Sequence, residues 1–241
     1  MIKIEHTEVF GWGAAIRGMR NPLESWDKSD MYYIDIDSDC DACDFGYSAD
    51  AFTLPCSVMA SNHCLNIGEN NLKLMRTLSK GGSDHAKYLR MINVTMDVTC
   101  HHTWWAEFDT YKVATVRNSC SKMHKIHVKE FVKDGFSHEG IDDCGGRTEE
   151  VFLLVVEELE RLRNLFNKTQ EKKYWRAIIE LLPMGYNIKA TIQLNYQVLK
   201  NIYHARKTHK IFEWHTFCAW CETLPYFKEI CIDPCVKEVT E

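Results

Sequence analysis

Two polar side chains, Asn195 and Arg206, interrupt an apolar pattern near the carboxyl end of the chain. No proline or glycine occurs between Ile188 and Arg206, and Leu199 falls at helical spacing with both polar residues. The pattern predicts a helix from Ile188 to about Arg206, with the carboxamide and the guanidinium on one face about three turns apart. Because buried polar groups need partners, such a pair suits a binding site. The alternative is that both lie at the edge of the apolar stripe and reach solvent.

A second chemical feature is the thiol of Cys120, which has Lys122 and His124 as basic neighbours. A cysteine becomes a nucleophile when its pKa is lowered, and nearby cations lower it by stabilising the thiolate. Cys120 is therefore a candidate nucleophile.

Eleven cysteines are many for a chain of 241 residues without a secretion signal, and an odd number cannot all pair. Thiols or metal sites are therefore better candidates than disulfides. One group has enough ligands for a tetrahedral zinc: Cys40, Cys43, Cys56, His63 and Cys64. A second group is Cys218, Cys221, Cys231 and Cys235. Either group can instead be ordinary thiols, in a loop and on an amphipathic helix respectively.

The composition is that of a soluble globular protein, with 45% hydrophobic and 26% charged residues. The net charge of −5 argues against a nucleic-acid backbone as the main partner but permits a local basic pocket for one nucleotide. No apolar run is long enough to span a membrane, and the amino-terminal stretch has no signal-peptide pattern. We expect a cytoplasmic protein.

The elements that would position these residues follow from periodicity. Alternation of apolar and polar residues predicts a strand over 92–99. Glycine and aspartate content predicts a loop over 133–147. Helical spacing predicts helices over 70–78, 103–116, 172–182 and 213–224. The longest helix is expected to begin with Thr148 as its cap, with an apolar stripe of Val151, Leu154, Val155, Leu159, Leu162 and Leu165.

The carboxyl-terminal segment resembles the signature of flavin-dependent thymidylate synthases. The matching residues, with a one-residue gap before the last, are Leu182, Pro183, Asn195, Leu199, Asn201, Arg206, His209 and Glu213. The resemblance implies that Asn195 and Asn201 lie by the flavin. It also implies that Arg206 contacts the uracil ring of dUMP and stabilises its ionised form.

The middle of the chain resembles the same family in the shape of the segment rather than in its identities. A family histidine aligns with His85, near the flavin or folate, and the family Arg-His-Arg triplet aligns with Thr110, Tyr111 and Lys112. The closing Ser-x-Arg of the pattern aligns with Cys120 and Lys122, and a one-residue shift would place Ser121 on the serine. These last residues would lie near the nucleotide.

Other departures concern the groups that hold dUMP in the family. The family glutamine aligns with Glu107, which would repel a phosphate if ionised nearby. A family arginine aligns with Ile179, and Arg176 one turn earlier is the available substitute. Because arginine binds a pyrophosphate bidentately and lysine gives one point charge, the altered triplet weakens the expected FAD site.

The resemblance implies an enzyme that converts dUMP to dTMP, using reduced FAD, methylenetetrahydrofolate and NADPH. The uracil ring would be activated by a cation at its O2/N3 edge, an electrostatic form of catalysis. Family members are homotetramers with active sites shared between subunits.

Two alternatives remain at this point. The altered triplet favours a nucleotide-binding or sequestering protein on the same fold, of phage or mobile-element type. The Cys120 thiol favours an altered reaction on a pyrimidine nucleotide. In each case we expect an α+β fold, with a small, mostly antiparallel sheet packed with long helices, in a single domain over 1–241. Residues 31–66 would be a Cys/Asp-rich insertion.

Overall fold

A computed structural model describes residues 1–35 and 63–233 of the chain. Its strands are β1 (Lys3–Phe10), β2 (Tyr32–Asp35), β3 (His63–Asn66), β4 (Asn93–His101), β5 (Val116–Ser119) and β6 (Asn187–Asn195). Its helices are α1 (Trp12–Arg20), α2 (Glu69–Lys80), α3 (His102–Phe108), α4 (Lys122–Lys125), α5 (Glu139–Cys144), α6 (Gly146–Thr169), α7 (Lys172–Leu181), α8 (Tyr196–Arg206) and α9 (Phe212–Thr223). A π-helical turn, Lys228–Ile232, follows α9.

The strands form an antiparallel four-stranded sheet in the order β1-β4-β6-β5, and β2 pairs with β3 in a two-stranded ribbon. Helices make up much of the remaining described chain. The expected α+β class, with helices and a small antiparallel sheet, is therefore confirmed. The strand predicted over 92–99 is observed as β4, and the helix predicted over 70–78 as α2.

The chain divides into two compact units. Unit 1 consists of Met1–Lys3, Val98–Thr110 and Arg117–Thr191. Its core lies between α6, α7 and the segment that precedes them, and consists of Ile126, Phe131, Phe136, Phe152, Val156, Leu159, Leu162 and Ile178. Burial of these large apolar side chains is the main favourable term that holds the long helices in place.

Unit 2 consists of Ile4–Asp97, Tyr111–Val116 and Ile192–Glu241, as far as the structure describes them. Its centre is aromatic: Tyr196, at the start of α8, lies edge-on to Trp12 at 5.4 Å and to Phe227 at 5.4 Å. Trp214 of α9 is fully buried. This packing fixes α8 against α9, and so it fixes the carboxyl end of α8.

One helix prediction is wrong in its first half. Residues 187–195 form β6, because Ile188, Ala190, Ile192 and Leu194 are buried at every second position. A helix would have turned one of these side chains to solvent. Helix α8 therefore begins at Tyr196 and ends at Arg206.

Three further predictions need correction. The helix predicted over 103–116 ends at Phe108. The expected loop over 133–147 contains α5. Helix α6 begins before Thr148, with Gly145 at its cap position. It buries Phe152 and Val156 rather than Val151 and Leu154, which are 46% and 63% exposed. None of the described helices is long and apolar enough to cross a membrane.

The first cysteine group lies largely outside the described residues. Cys40, Cys43 and Cys56 fall in residues 36–62, and Cys64 is in β3, where only the backbone is described. Within the described ranges, no cluster of three or more histidine, cysteine, aspartate or glutamate side chains could hold a metal ion.

Candidate functional site

The end of α8 presents a guanidinium that is held from two sides. Arg206 Nε donates to Tyr111 Oη at 2.9 Å. The guanidinium carbon lies 5.0 Å from the centroid of the Trp214 ring and 5.6 Å from that of Tyr111, both within range of a cation–π contact. These contacts give unit 2 a planar cation of defined orientation.

The start of α8 is fixed by Asn195. Its side-chain oxygen accepts from the Val198 backbone N–H at 3.1 Å, so the residue is the N-cap of the helix and is only 6% exposed. The expected pairing of Asn195 and Arg206 on one helical face is therefore wrong, since the two residues lie at opposite ends of α8. The carboxamide oxygen of Asn195 therefore caps α8.

Unit 1 contains a cleft of about 280 Å³ beside β5 and the amino-terminal end of α4. Its lining residues are His102, Trp105, Ala106, Asp109, Arg117, Ser119, Cys120, Lys122, Met184 and Ile188. A backbone hydrogen bond from Cys120 N–H to the carbonyl of Lys189, at 3.0 Å, attaches the segment after β5 to β6. Four of the lining residues are apolar, and the other six are polar or ionisable, so the cleft suits a polar small molecule with an apolar part.

Two cations line this cleft, and they differ in what surrounds them. Arg117 binds both carboxylate oxygens of Asp109, at 2.9 and 3.0 Å, and its guanidinium lies 4.6 Å from the Trp105 ring centroid. Lys122 Nζ lies 2.6 Å from Nε2 and 3.1 Å from Nδ1 of His102, and donates to the ring nitrogen that lacks a proton. Partial burial lowers the pKa of Lys122 from its ordinary value.

Three other residues predicted to bind the nucleotide, Ser121, Glu107 and Arg176, lie elsewhere in unit 1. Ser121 is the N-cap of α4, accepting from His124 N–H at 3.3 Å. Glu107 is partly buried and is not a lining residue of the cleft, and its carbonyl accepts from Thr110. Arg176 is exposed on α7 and pairs with Glu180 at 2.8 Å. Of the predicted nucleotide residues, the cleft brings together Cys120 and Lys122.

Four of the six residues assigned to the flavin are exposed, and Tyr111 and Asn195 are partly or fully buried. His85 is exposed in a turn after α2, and Lys112 is exposed between α3 and β5. Asn201 is exposed on α8, where its side-chain oxygen accepts from Gln197 at 3.0 Å. Thr110 donates its hydroxyl to the Glu107 carbonyl at 2.7 Å.

Several residues of the cleft and of the Arg206 contacts were not predicted from the sequence. His102, Asp109 and Arg117 were passed over, and Trp105 was taken only as an apolar residue of a helix. The signal for the ion pair was weak, because Asp109 and Arg117 are separated by a turn rather than by a helical repeat. The contact of Trp214 with Arg206 could not be predicted, because nothing in a single sequence relates the two residues.

Three cysteines of the second group are buried thiols in unit 2: Cys218, Cys221 and Cys231. Burial raises the pKa of Cys218 to about 11 and that of Cys221 well above its ordinary value. These thiols therefore stay protonated near neutral pH and are poor nucleophiles. Cys120, by contrast, is exposed.

No protein-family model matches the chain, and no curated protein matches its sequence. Solved structures do match its fold. One is thymidylate synthase X from Helicobacter pylori with FAD and dUMP, at 14% identity and a TM-score of 0.61, over 97% of this chain and 99% of that one. Another is the flavin-dependent thymidylate synthase of Helicobacter pylori complexed with FAD and dUMP, also 14% identical, with a TM-score of 0.60 over 98% and 100% of the two chains. The chain thus has the thymidylate synthase X fold in a divergent sequence.

Proposed function

We propose that this chain binds a uridine nucleotide of the dUMP class and that Lys122 receives its phosphate. The observation that carries the proposal is the charge arrangement of the unit 1 cleft. The carboxylate of Asp109 is already paired with Arg117, whereas the ammonium of Lys122 lies against the imidazole of His102. The presence of dUMP in the two solved structures of this fold supports a nucleotide of this kind.

The electrostatics of Lys122 favour an anionic ligand. Its lowered pKa means that the ammonium has lost solvation without gaining a full counter-charge. A phosphate placed against Nζ would replace the lost hydration of the ammonium with charge-assisted hydrogen bonds. The low-dielectric walls formed by Trp105 and Ile188 would strengthen the attraction relative to bulk water.

Arg206 belongs to unit 2, and its proposed role is considered apart from the unit 1 cleft. A planar guanidinium suits the O2/N3 edge of a uracil ring, and its positive charge would stabilise the ionised form of that ring. The contacts with Tyr111 and Trp214 support this role, because they hold the guanidinium in one orientation.

The residues that align with the family's FAD triplet fit a dinucleotide pyrophosphate poorly. Thr110 donates its hydroxyl to a backbone carbonyl, and the hydroxyl of Tyr111 is an acceptor of a hydrogen bond from Arg206. Lys112 is then the one cation of the triplet, and a lysine cannot bind a pyrophosphate bidentately. The side-chain oxygen of Asn195 already accepts the N-cap hydrogen bond of α8. The proposed function is therefore nucleotide binding or sequestration, without a step that needs FAD.

A second candidate function is the methylation of dUMP to dTMP. The observation that favours it is that the similar structures contain FAD as well as dUMP and match nearly the whole chain. Under this candidate FAD would supply the hydride, with methylenetetrahydrofolate and NADPH as co-substrates. This chain would contribute the cation of Arg206 at the uracil ring.

We also propose that the chain assembles as a homotetramer. The support is the outer face of α6, where Val151, Leu153 and Leu154 are 46%, 43% and 63% exposed, an unusual amount of aliphatic surface on one helix. A second copy of this chain is the proposed occupant. Sedimentation velocity should give a smaller species for Leu154→Glu but not for Lys168→Glu, a charge change at the exposed end of the same helix. Tetramers that persist in Leu154→Glu would contradict this interface.

The nucleotide proposal is tested by calorimetry with dUMP on the purified protein and two lysine variants. Loss of a charge-assisted hydrogen bond in Lys122→Ala should weaken binding about 10- to 100-fold. Lys125→Ala, which removes an exposed lysine of the same helix, should leave the affinity unchanged. Equal affinities for both variants would refute the role of Lys122, and no binding of dUMP by the unmodified protein would refute the function.

An absorbance spectrum before and after FAD addition separates the two candidate functions. Binding of dUMP without bound flavin, even at high FAD concentration, supports the binding protein and excludes the synthase. A flavin spectrum together with dTMP formation supports the synthase instead. Growth of a thymidine auxotroph that carries the gene would then follow.

A further inference from the structure

The imidazole of His102 lies against the ammonium of Lys122 in the lining of the unit 1 cleft. Lys122 Nζ lies 2.6 Å from Nε2 and 3.1 Å from Nδ1, so it approaches the edge of the ring between the two nitrogens. A lysine amine binds a proton more tightly than an imidazole does, so the lysine is the donor and the ring is the acceptor. His102 is therefore neutral in the free protein, with a lone pair directed at Nζ.

With His102 neutral, the cleft has too little positive charge for a phosphate dianion. Among the described residues that line it, four others are ionisable: Asp109, Arg117, Cys120 and Lys122. Arg117 and Asp109 offset each other, and the Cys120 thiol adds no positive charge. The nearby Tyr186 is a neutral phenol, since burial and the neighbouring Cys120 raise its pKa. One net positive charge remains, that of the lysine, whereas the dianion carries two negative charges.

We infer that His102 is a second phosphate-binding residue, which takes up a proton from solvent when a terminal phosphate dianion enters the cleft. The inference rests on the proposed function and adds to it the class of phosphate that the cleft selects. When Nζ turns to the phosphate, the ring nitrogen that accepted from it loses its donor, and its lone pair would oppose the phosphate oxygens. A proton on this nitrogen makes it a donor, and the second positive charge balances the second negative one.

The selected ligand is a phosphate monoester rather than a diester. A monoester is mainly a dianion near neutral pH, whereas a diester carries one charge and gives the imidazole less reason to take up a proton. The cleft therefore favours a free nucleoside monophosphate over a nucleotide within a strand. Lys122 holds the phosphate against the ring, so proton uptake depends on both side chains. The contribution of the imidazolium is present at low pH and is lost as the pH rises through the titration of His102 in the complex.

Calorimetry in two buffers counts the protons. The heat of dUMP binding is measured at about pH 7 in PIPES and in Tris, which differ in ionisation enthalpy, and the difference in heat gives the number of protons exchanged. We expect uptake of about 0.5 to 1 proton per dUMP and none for deoxyuridine, which lacks the phosphate. His102→Gln should abolish the uptake. His124→Gln, which removes an exposed imidazole of α4 outside the cleft lining, should retain it.

The same variants test the selection of a monoester. The ratio of the affinity for dUMP to that for its phosphate methyl ester measures the preference for a dianion. In His102→Gln this ratio should fall about tenfold, as expected for loss of one charge-assisted hydrogen bond. It should be unchanged in His124→Gln.

The outcomes separate the inference from the function on which it rests. Failure of the unmodified protein to bind dUMP would refute the function. Binding of dUMP without proton uptake would overturn the inference alone, and uptake that persists in His102→Gln would assign the proton to another group and overturn it as well. If His102→Gln is poorly folded, His102→Asn replaces it, since His102 begins α3, where a short polar side chain is tolerated. Equal uptake on binding of the methyl ester would overturn the inference without any variant.

Discussion

Arg117 binds both carboxylate oxygens of Asp109, at 2.9 and 3.0 Å, across the turn that joins α3 to β5. Its guanidinium also lies over the indole of Trp105. This ion pair decides the charge of the unit 1 cleft, because it neutralises Asp109, the acidic residue among those that line it. The positive charge of Lys122 is then not offset by Asp109 and can attract an anionic ligand.

Neutralising Asp109 should therefore strengthen phosphate binding. In Asp109→Asn the amide can still accept from Arg117, but the negative charge is gone and the guanidinium is no longer balanced. We expect dUMP affinity to rise about three- to tenfold, the size of one charge–charge term in a partly solvated site. Calorimetry at low ionic strength would measure it.

Asp143→Asn is the matched control, since Asp143 is exposed and does not line the cleft. Its affinity should equal that of the unmodified protein. Folding stability should change little in either variant, because exposed ion pairs contribute between zero and about 1 kcal/mol. A weaker affinity in Asp109→Asn would mean that the ion pair holds the cleft in shape, and it would contradict the charge argument.

Asn195 and Asn201 should behave differently on substitution, although the family signature treats both as flavin residues. Asn195→Ala removes the N-cap of α8 at a buried position and should lower the free energy of unfolding by about 1 kcal/mol. Asn201→Ala removes an exposed contact with Gln197 and should cost about half of that or less. Urea unfolding of both variants measures the difference. Equal losses would show that the cap is not what stabilises α8.

How far the fold could be predicted is best seen at β6. Between Ile188 and Leu194 the apolar residues alternate strictly with Lys189, Thr191 and Gln193, which is the pattern of a strand. The helical spacing of a few residues around Leu199 concealed it, because apolar residues four apart fit both periods. Elements with one clear period, such as α2 and β4, were predicted correctly.

The candidate site was less accessible to sequence reasoning. Cys120 and Lys122 could be found because they are close together in the chain and carry the family resemblance. The contact of Tyr111 with Arg206 depends on tertiary packing of α8 against α9, which no local pattern encodes. The same holds for His102, which meets Lys122 only because β4 and α3 bring it to the cleft.

The lowered pKa of Lys122 predicts a pH-dependent contribution of the phosphate. The protonated ammonium binds the phosphate, so this contribution is complete below the pKa of Lys122 and is lost as the pH rises through it. Because burial lowers that pKa from 10.5, the loss begins at a lower pH than for an exposed lysine. The ratio of dUMP to deoxyuridine affinity isolates the phosphate, since both ligands carry the same uracil. It should begin to decline at a pH below that expected for an exposed lysine of pKa 10.5, and in Lys122→Ala it should be low and flat. A flat ratio in the unmodified protein would contradict the prediction.

The exposed thiol of Cys120 offers a direct report of ligand in the cleft. Cys120 lines the cleft, whereas Cys144 is exposed at the end of α5 and does not. Alkylation with iodoacetamide, followed by peptide mass spectrometry, should label both in the free protein. Saturating dUMP should slow labelling of Cys120 about tenfold or more, the ratio set by ligand concentration over Kd, and leave Cys144 unchanged.

Cys218 should stay unlabelled in either case, because it is buried and its pKa is raised to about 11. Equal protection of Cys144 would indicate a global change in the protein, and no protection of Cys120 would mean that dUMP does not occupy this cleft.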